Sequence, residues 1–173
     1  MTDKIEMISE KSEHQGQIEQ ILDQAFGVNR TSKISYRYRH HISAIKQLCW
    51  VVEKNKEVIG TIRYWPVTVN HMTDALLLGP LAISGSYRGQ GLGQRLAAHT
   101  MNVAKDLGYK IIFLVGDHAY YHRLGFKPTV PYGLYMPDEK PERLLIHELV
   151  PEAAKGIQGS LCQARPSSLK VAG

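Results

Sequence analysis

The segment from residue 75 to residue 107 constrains the fold more than any other part of the sequence. It begins with an apolar run, ALLLGPLAI, continues through the glycine-rich turn SGSYRGQG, and ends in residues with helical spacing. A strand that is apolar on both sides is typical of the centre of a sheet. A long helix directly after such a strand predicts an α/β fold.

The other elements extend this unit to a mixed α/β sandwich. Apolar residues at helical spacing predict three helices, at 16–26, 91–107 and 119–125. Strand patterns predict a hairpin at 48–69 with its turn at 54–56, and further strands at 75–83, 110–115 and 143–150. The segment 29–48 is predicted to be a second helix or a helix with a loop. Pro66 predicts that the second hairpin strand leaves its ladder there.

Length and composition indicate one domain with a short appendage. The 173 residues suffice for a sizeable core, and 43% apolar with 21% charged residues is ordinary for a globular protein. The patterns fade from Pro151 onwards. We therefore assign residues 1–150 to the domain and predict an irregular C-terminal extension at 151–173.

Several sequence features bear on location and partners. No apolar run approaches the length of a membrane span, so we expect no membrane partner. The charged N-terminus lacks the apolar core of a signal peptide, which predicts a cytoplasmic protein. Cys49 and Cys162 show no paired spacing and suit free thiols in a reducing compartment. The formal net charge of +5 indicates an anionic partner without identifying it, and we assign no metal site.

The glycine-rich turn has the residue types that bind an anion. The start of a helix presents unpaired N–H groups and a partial positive charge. Gly89, Gly91 and Gly93 lack a Cβ, so an anion can approach these amides closely. Arg88 adds a fork of donors suited to phosphate. The turn therefore predicts a pyrophosphate site, with a plain tight turn as the alternative.

Two familiar phosphate-binding loops do not match this turn. A Walker loop requires Gly-Lys-Ser/Thr after its second glycine, and GLGQR lacks that sequence. A dinucleotide-binding loop requires Gly-x-Gly-x-x-Gly in a first βαβ unit, whereas this turn has a different spacing and follows a hairpin. Both assignments are disfavoured.

RGQGLG resembles Arg/Gln-x-x-Gly-x-Gly/Ala, the acetyl-CoA pyrophosphate motif of the GNAT superfamily of N-acetyltransferases. Its setting between a central strand and a long helix is also the family's, and YYHRLGF resembles the family's Tyr-x-x-x-Gly-Phe segment. The resemblance covers roughly residues 4–150, and the combination with LGPLAI and HELVP is similar to the YhbS-like predicted bacterial acetyltransferases. It implies a mixed, mostly antiparallel central sheet with helices on both faces and splayed central strands.

The resemblance also implies where the co-substrate acetyl-CoA binds. Its pyrophosphate would lie on six consecutive residues, Arg88, Gly89, Gln90, Gly91, Leu92 and Gly93. Pro80 cannot donate to a strand ladder, so it independently predicts an interrupted sheet near Gly79, with an ordinary bulge as the alternative. By resemblance, the pantetheine arm would pair with the backbone of Leu81, Ala82 and Ile83.

Tyr121 matches the catalytic tyrosine of the family, which implies that it protonates the departing thiolate. A phenol with a pKa of about 10 is protonated at neutral pH, and its pKa is not far above that of a thiol, about 8.5. Tyr120 is predicted to pack into the core instead. Asp117 caps the short helix, accepts a hydrogen bond from the pantetheine amide, or does both.

The general base and the acceptor amine are less well defined. The central strand carries no carboxylate, which leaves ordered water or one of four candidate relays, Asp74, His71, His118 and His122. By resemblance, the acceptor enters near residues 27–41 and 131–142. These segments contain the polar and aromatic residues Arg30, Tyr36, Tyr38, His40, Tyr132 and Tyr135.

Three functions remain open at this stage. The first is an N-acetyltransferase that moves the acetyl group of acetyl-CoA directly to a primary amine of a small molecule or protein, as a monomer or a homodimer. The second is a non-catalytic CoA-binding module, which the presence of Tyr121 disfavours. The third is nucleic-acid binding through YRYRHH at 36–41, which we do not expect because a solvated face or an acceptor-site wall explains those residues more simply.

Overall fold

A computed structural model describes residues 3–164, and within that range the chain forms nine strands and three α-helices. The strands are β1 (Ile5–Ser9), β2 (Trp50–Lys54), β3 (Glu57–Val69), β4 (Thr73–Ile83), β5 (Ile111–Val115), β6 (Lys127–Pro128), β7 (Leu134–Tyr135), β8 (Leu144–Glu148) and β9 (Gly159–Gln163). The helices are α1 (Gln15–Phe26), α2 (Leu92–Asp106) and α3 (His118–Tyr121). Short 3-10 turns lie between several of these elements.

The strands form one mixed sheet in the order β1-β2-β3-β4-β5-β8-β6. Neighbours along this path are antiparallel except β4 and β5, which run parallel. β9 lies antiparallel to the end of β3 and carries β7 on its other edge. The predicted mixed, mostly antiparallel sheet is confirmed.

The two long helices cover opposite faces of this sheet. Successive side chains of a strand point to opposite faces. On β2, Val51 packs in the apolar cluster that contains Ile18 of α1, whereas Val52 packs in the cluster that contains Leu96 of α2. The strands therefore separate two apolar layers, one under each helix.

Several local predictions are confirmed. Gly27 ends α1 with a φ of 85°. The hairpin turn consists of Asn55 and Lys56 at φ 51° and 67°, the left-handed pair that a two-residue hairpin turn requires. Gly125, at φ 85°, ends the turn of 3-10 helix after α3.

Other local predictions are wrong. The hairpin ladder between β2 and β3 already ends at Ile62, and β3 stays paired with β4 through Pro66. The predicted helix or helix with a loop at 29–48 is instead a series of 3-10 turns, at 30–32, 34–39 and 46–48. β1 is a strand that the charged N-terminal sequence did not indicate.

The prediction of an irregular extension at 151–173 is wrong for residues 159–163, which form β9. This strand pairs with β3 through Val69↔Leu161 and its neighbours, and Leu161 is buried. Residues 165–173 lie outside the described range. Part of the predicted extension therefore belongs to the central sheet.

Asn70 holds β9 in place, and its loss is expected to destabilise the fold. Its side chain donates to Gln158 O (2.7 Å) and accepts from Ser160 N–H (2.9 Å). Asn70→Ala should lower the free energy of unfolding by about 1–3 kcal/mol, measured by urea denaturation. Asn55→Ala is the matched control, because Asn55 has the same φ of 51° and donates one exposed bond, to Asp3. Equal losses in both variants would contradict this role of Asn70.

Candidate active site

A cleft of about 670 Å³ lies between the end of β4, the start of α2 and α3. We call it the turn cleft, and it is lined by residues 25–26, 81–83, 87–89, 91–94, 119–121 and 123. It brings together most of the predicted cofactor-binding residues: Leu81, Ala82, Ile83, Arg88, Gly89, Gly91, Leu92 and Gly93. Gln90 and Asp117 do not line it.

The start of α2 presents backbone donors to the turn cleft. Gly91, the residue before the helix, is left-handed with a φ of 75°. The first intrahelical hydrogen bond runs from Arg95 N–H to Gly91 O (3.0 Å). The amides of residues 92–94 precede that bond, so they are the donors that a helix start offers to an anion.

The three glycines of the turn are needed for different reasons. Gly89 and Gly91 have φ of 80° and 75°, and a Cβ on either would project into open space. That space is where an anion would approach the amides. Gly93 instead has a neighbour: a Cβ there would come within 2.6 Å of the Tyr120 hydroxyl. Gly93 therefore makes room for Tyr120, while Gly89 and Gly91 leave the anion site open.

Arg88 ties the turn to the end of β4. Its Nε donates to Ile83 O (3.2 Å), and the side chain is exposed in the turn cleft. One donor of the guanidinium is used in this contact, so the terminal NH₂ groups can face an anion at the helix start. Arg88 therefore places a positive charge beside the amides of residues 92–94.

The sheet opens between β4 and β5 at the predicted place. These strands pair only at Leu76↔Ile112 and Leu77↔Phe113. Gly79 then adopts a φ of 139°, and the register between β3 and β4 shifts opposite this point. Beyond the shift, Leu81–Ile83 pair with β3 on one edge alone. The other edge of this segment faces the turn cleft without a strand partner, and there Ile83 O accepts from Arg88 Nε.

A second cleft, of about 450 Å³, adjoins the first at the opening in the sheet. We call it the acceptor cleft, and it is lined by residues 26, 32–36, 39, 77–81, 114–115, 121, 139–140 and 143. The two clefts share three residues: Phe26, Leu81 and Tyr121. A molecule in one cleft can therefore meet a molecule in the other beside Leu81 and Tyr121.

Tyr121 is held by packing. Its ring makes an edge contact with Phe126 at a centroid distance of 5.9 Å, and a Cβ on Gly116 would come within 2.7 Å of the ring. Burial raises the pKa of the Tyr121 phenol well above its ordinary value, and neighbouring Tyr120 adds to the effect. The phenol is therefore fully protonated at neutral pH.

The prediction that Tyr120 packs into the core is wrong. The side chain is 41% exposed and lies in the turn cleft over Gly93. Its backbone carbonyl accepts a hydrogen bond from Gln94 Nε2 (3.0 Å), which joins α3 to the start of α2. Successive residues on one turn of helix point in different directions, and here it is Tyr121 that faces the core.

Asp117 is a helix cap in this structure. Its Oδ1 accepts a hydrogen bond from the Ala119 amide (3.0 Å), which satisfies a free donor of α3. The capping alternative from the sequence is confirmed. Its second role, toward a pantetheine amide, stays a prediction.

Few of the sequence-predicted acceptor residues line the acceptor cleft. Tyr36 does, whereas Arg30 is buried against Glu19 and Asp23, and the Tyr38 hydroxyl donates to Leu161 O (3.1 Å). His40, Tyr132 and Tyr135 lie outside it, as do the four candidate relays. The cleft is lined instead by four charged residues from the same two segments, Lys33, Arg39, Glu139 and Lys140, and by the adjacent Arg143.

Comparison with known proteins decides the family. The sequence model of the acetyltransferase (GNAT) family matches residues 16–126, more than half of the chain. The chain belongs to the GNAT acetyltransferase family. Among residues 3–164 of this family member, no cluster of His, Cys, Asp and Glu is arranged to hold a metal ion. Within the same range, no helix is both long enough and apolar enough to span a membrane.

Individual GNAT proteins resemble this chain over most of its length. The uncharacterised N-acetyltransferase YhbS of Escherichia coli is 32% identical over 106 residues, which are 60% of this chain and 63% of YhbS. A crystal structure of YhbS with CoA superposes with a TM-score of 0.80, at 23% identity, over 93% of this chain and 90% of that one. A crystal structure of a Brucella melitensis GNAT acetyltransferase in complex with acetyl-CoA superposes with a TM-score of 0.71, at 22% identity. The superposition covers 93% of this chain and 96% of that one.

Proposed function

We propose that this protein transfers the acetyl group of acetyl-CoA directly to an amine. One observation carries the proposal: the turn cleft and the acceptor cleft meet at an opening in the sheet, beside Leu81 and Tyr121. Direct transfer requires the reacting atoms of the two substrates to be held in contact. The residues that the two clefts share support such a meeting point.

The turn cleft fits acetyl-CoA. The amides of residues 92–94 and the Arg88 guanidinium would bind the pyrophosphate, and the absent Cβ atoms of Gly89 and Gly91 leave room for it. The free edge of Leu81–Ile83 would pair with the pantetheine arm as an added strand does. The cosubstrates of the two crystallised relatives, CoA and acetyl-CoA, support this assignment.

The reaction then requires two proton movements. The neutral amine nitrogen attacks the thioester carbonyl, and a backbone N–H of the segment Leu81–Ile83 would stabilise the oxyanion. When the C–S bond breaks, the Tyr121 phenol gives its proton to the departing sulfur. The amine proton passes to water and returns to Tyr121, so no proton is gained or lost by the enzyme.

The raised pKa of Tyr121 is compatible with this role. Burial disfavours the phenolate, so the proton is always present, but it also makes the phenol a weaker acid. A thiolate that leaves in the same cleft is disfavoured by the same desolvation. Both pKa values are therefore raised together, and the proton transfer stays feasible.

The proposal is tested by thiol release from acetyl-CoA in the presence of a panel of primary amines. Acetyl transfer predicts equal amounts of free CoA and of acetylated amine, the latter identified by mass spectrometry. The competing function is a CoA-binding module, which predicts tight CoA binding in calorimetry with no acetylated product from any amine.

The pH dependence of turnover provides a separate prediction. A general acid loses its activity as the pH rises through its pKa. For an unperturbed tyrosine this loss would be centred at about pH 10. Because burial raises the pKa of Tyr121, kcat with a weakly basic amine should stay level up to pH 10. The profile is measured at saturating substrates. A decline centred at about pH 10 or below that is absent from Tyr121→Phe would contradict the raised pKa of the phenol.

A further inference from the structure

The acceptor cleft has an unbalanced charge. Four cationic side chains line it, Lys33, Arg39, Lys140 and Arg143, against the single carboxylate of Glu139. A cleft lined by one sign of charge concentrates ligands of the opposite sign. An amine is itself cationic in water, so this lining would repel a simple amine.

These cations have no carboxylate partner within the described part of the chain. The neighbouring arginines do: Arg37 pairs with Asp138 (2.8 Å), and Arg30 pairs with Glu19 and Asp23. Glu139 accepts a hydrogen bond from the backbone N–H of Lys140 (3.0 Å) rather than pairing with one of the cleft cations. The positive charge of the cleft is therefore available to a ligand.

Arg39 is fixed at the floor of the cleft. Its guanidinium stacks on Tyr36 (4.1 Å to the ring centroid) and lies 5.6 Å from the ring of Trp65. One terminal nitrogen is 3.1 Å from the position of a Cβ on Gly79, so it lies beside the opening in the sheet. Its buried Nε has no hydrogen-bond partner. A buried guanidinium is costly, and the negative charge of an anion in the cleft would offset part of that cost.

Lys33 shows that the cations of the cleft are close together. Its pKa is lowered, first by burial and then by the positive charges of Arg143 and Arg39. Its Nζ also lies 4.5 Å from the centroid of the Phe26 ring, one of the residues shared by the two clefts. Arg143 and Arg39 thus both repel the Lys33 ammonium, and a bound anion would relieve that repulsion.

We propose that the acceptor is a small amine that also carries a carboxylate or phosphate group. The anionic group would bind to Arg39, Lys33 and Arg143, which would orient the amine toward Leu81 and Tyr121. The volume of about 450 Å³ suits a small molecule. This inference rests on the proposed acetyl transfer and names the substrate class of the same site.

Matched amine pairs test the inference by kinetics. O-phosphoethanolamine is compared with ethanolamine, and β-alanine with propylamine, so that each pair differs in the anionic group. We expect kcat/KM to be at least about tenfold higher for an anionic member. Arg143→Gln, at the exposed rim, should remove most of that preference by raising KM for the anionic member of each pair. Equal values within both pairs would overturn the inference.

Arg37→Gln is the matched control for Arg39→Gln, since it removes the same charge from the same 3-10 turn but from a side chain outside the cleft. It should leave the preference intact. Arg39→Gln should abolish the preference more completely than Arg143→Gln, and a thermal melt shows whether this half-buried substitution has disturbed the fold.

Calorimetry separates this inference from the proposed function. The anionic amines are titrated into the protein saturated with CoA, which holds the turn cleft filled without turnover. Binding to wild type that Arg143→Gln weakens, with no acetylated product from any amine, would support the anion site and contradict acetyl transfer. Acetylation of amines without preference for the anionic ones, together with no binding that depends on Arg143, would support acetyl transfer and contradict the anion site.

Discussion

Tyr121→Phe should lower the rate of acetyl transfer by about 10²–10⁴ and leave acetyl-CoA binding almost unchanged. The substitution removes the proton donor but keeps the ring that packs on Phe126. General acid catalysis typically contributes a factor of that size. A lower kcat with intact binding marks an interaction made mainly in the transition state. The measurements are kcat from thiol release and the dissociation constant from calorimetry.

Two other tyrosines make this experiment specific. Tyr135→Phe is the neutral control, because Tyr135 is 52% exposed and lines neither cleft. Tyr120→Phe removes a hydroxyl that lies over Gly93, so it should affect acetyl-CoA affinity more than the rate. If Tyr120→Phe loses turnover while Tyr121→Phe retains it, the acid is the other phenol. If neither substitution matters, the thiolate leaves without help from either tyrosine.

Gly91→Val and Arg88→Glu should each weaken acetyl-CoA binding by tenfold or more, about 1.4 kcal/mol. The valine side chain would enter the open space beside the amides of residues 92–94. The glutamate would put a negative charge next to the pyrophosphate and remove the contact of Arg88 with Ile83 O. Both effects are measured by calorimetry with CoA.

Each variant has a control at the other end of α2. Gly108 has a φ of 94°, and a Cβ there also meets nothing within 4 Å, so Gly108→Val reproduces the backbone strain of Gly91→Val at the far end of the helix. Lys105→Glu reproduces the charge reversal in the last turn. Wild-type affinity in Gly91→Val and Arg88→Glu together would show that the pyrophosphate binds elsewhere.

The parts of the fold that local sequence determines could be predicted. The helical spacing of α1 and α2, the left-handed turn at Asn55 and Lys56, and the glycine stops depend on residues close in the chain. Pro80 predicted the opening between β4 and β5 because a proline cannot complete a ladder. These signals also located the turn cleft.

The remaining parts depend on residues distant in sequence. β9 is held by β3 and by Asn70, some 90 positions earlier, so its own sequence carries little signal. Pro66 suggested a break, but β4 pairs with β3 through that point, and tertiary pairing overrides the local preference. The cations of the acceptor cleft come from segments 33–39 and 140–143, which only the folded chain brings together.

Within the site, Tyr121 could be predicted from local sequence, whereas the direction of Tyr120 depends on residues distant in sequence. The spacing to Phe126 placed a tyrosine at the site, but the direction of its neighbour depends on how α3 packs against α2. That packing is set by Gly93, which leaves room for the Tyr120 hydroxyl, and by Gln94. Neither contact could be deduced from the sequence of α3 alone.

A crystal structure of the protein with acetyl-CoA tests the central claim most directly. The claim is that transfer takes place where the two clefts meet. We predict the pyrophosphate on the amides of residues 92–94, the pantetheine along Leu81–Ile83, and the sulfur within hydrogen-bond reach of the Tyr121 hydroxyl. A thioester that lies away from both Leu81 and Tyr121, or β4 and β5 paired without interruption through residue 83, would contradict the account.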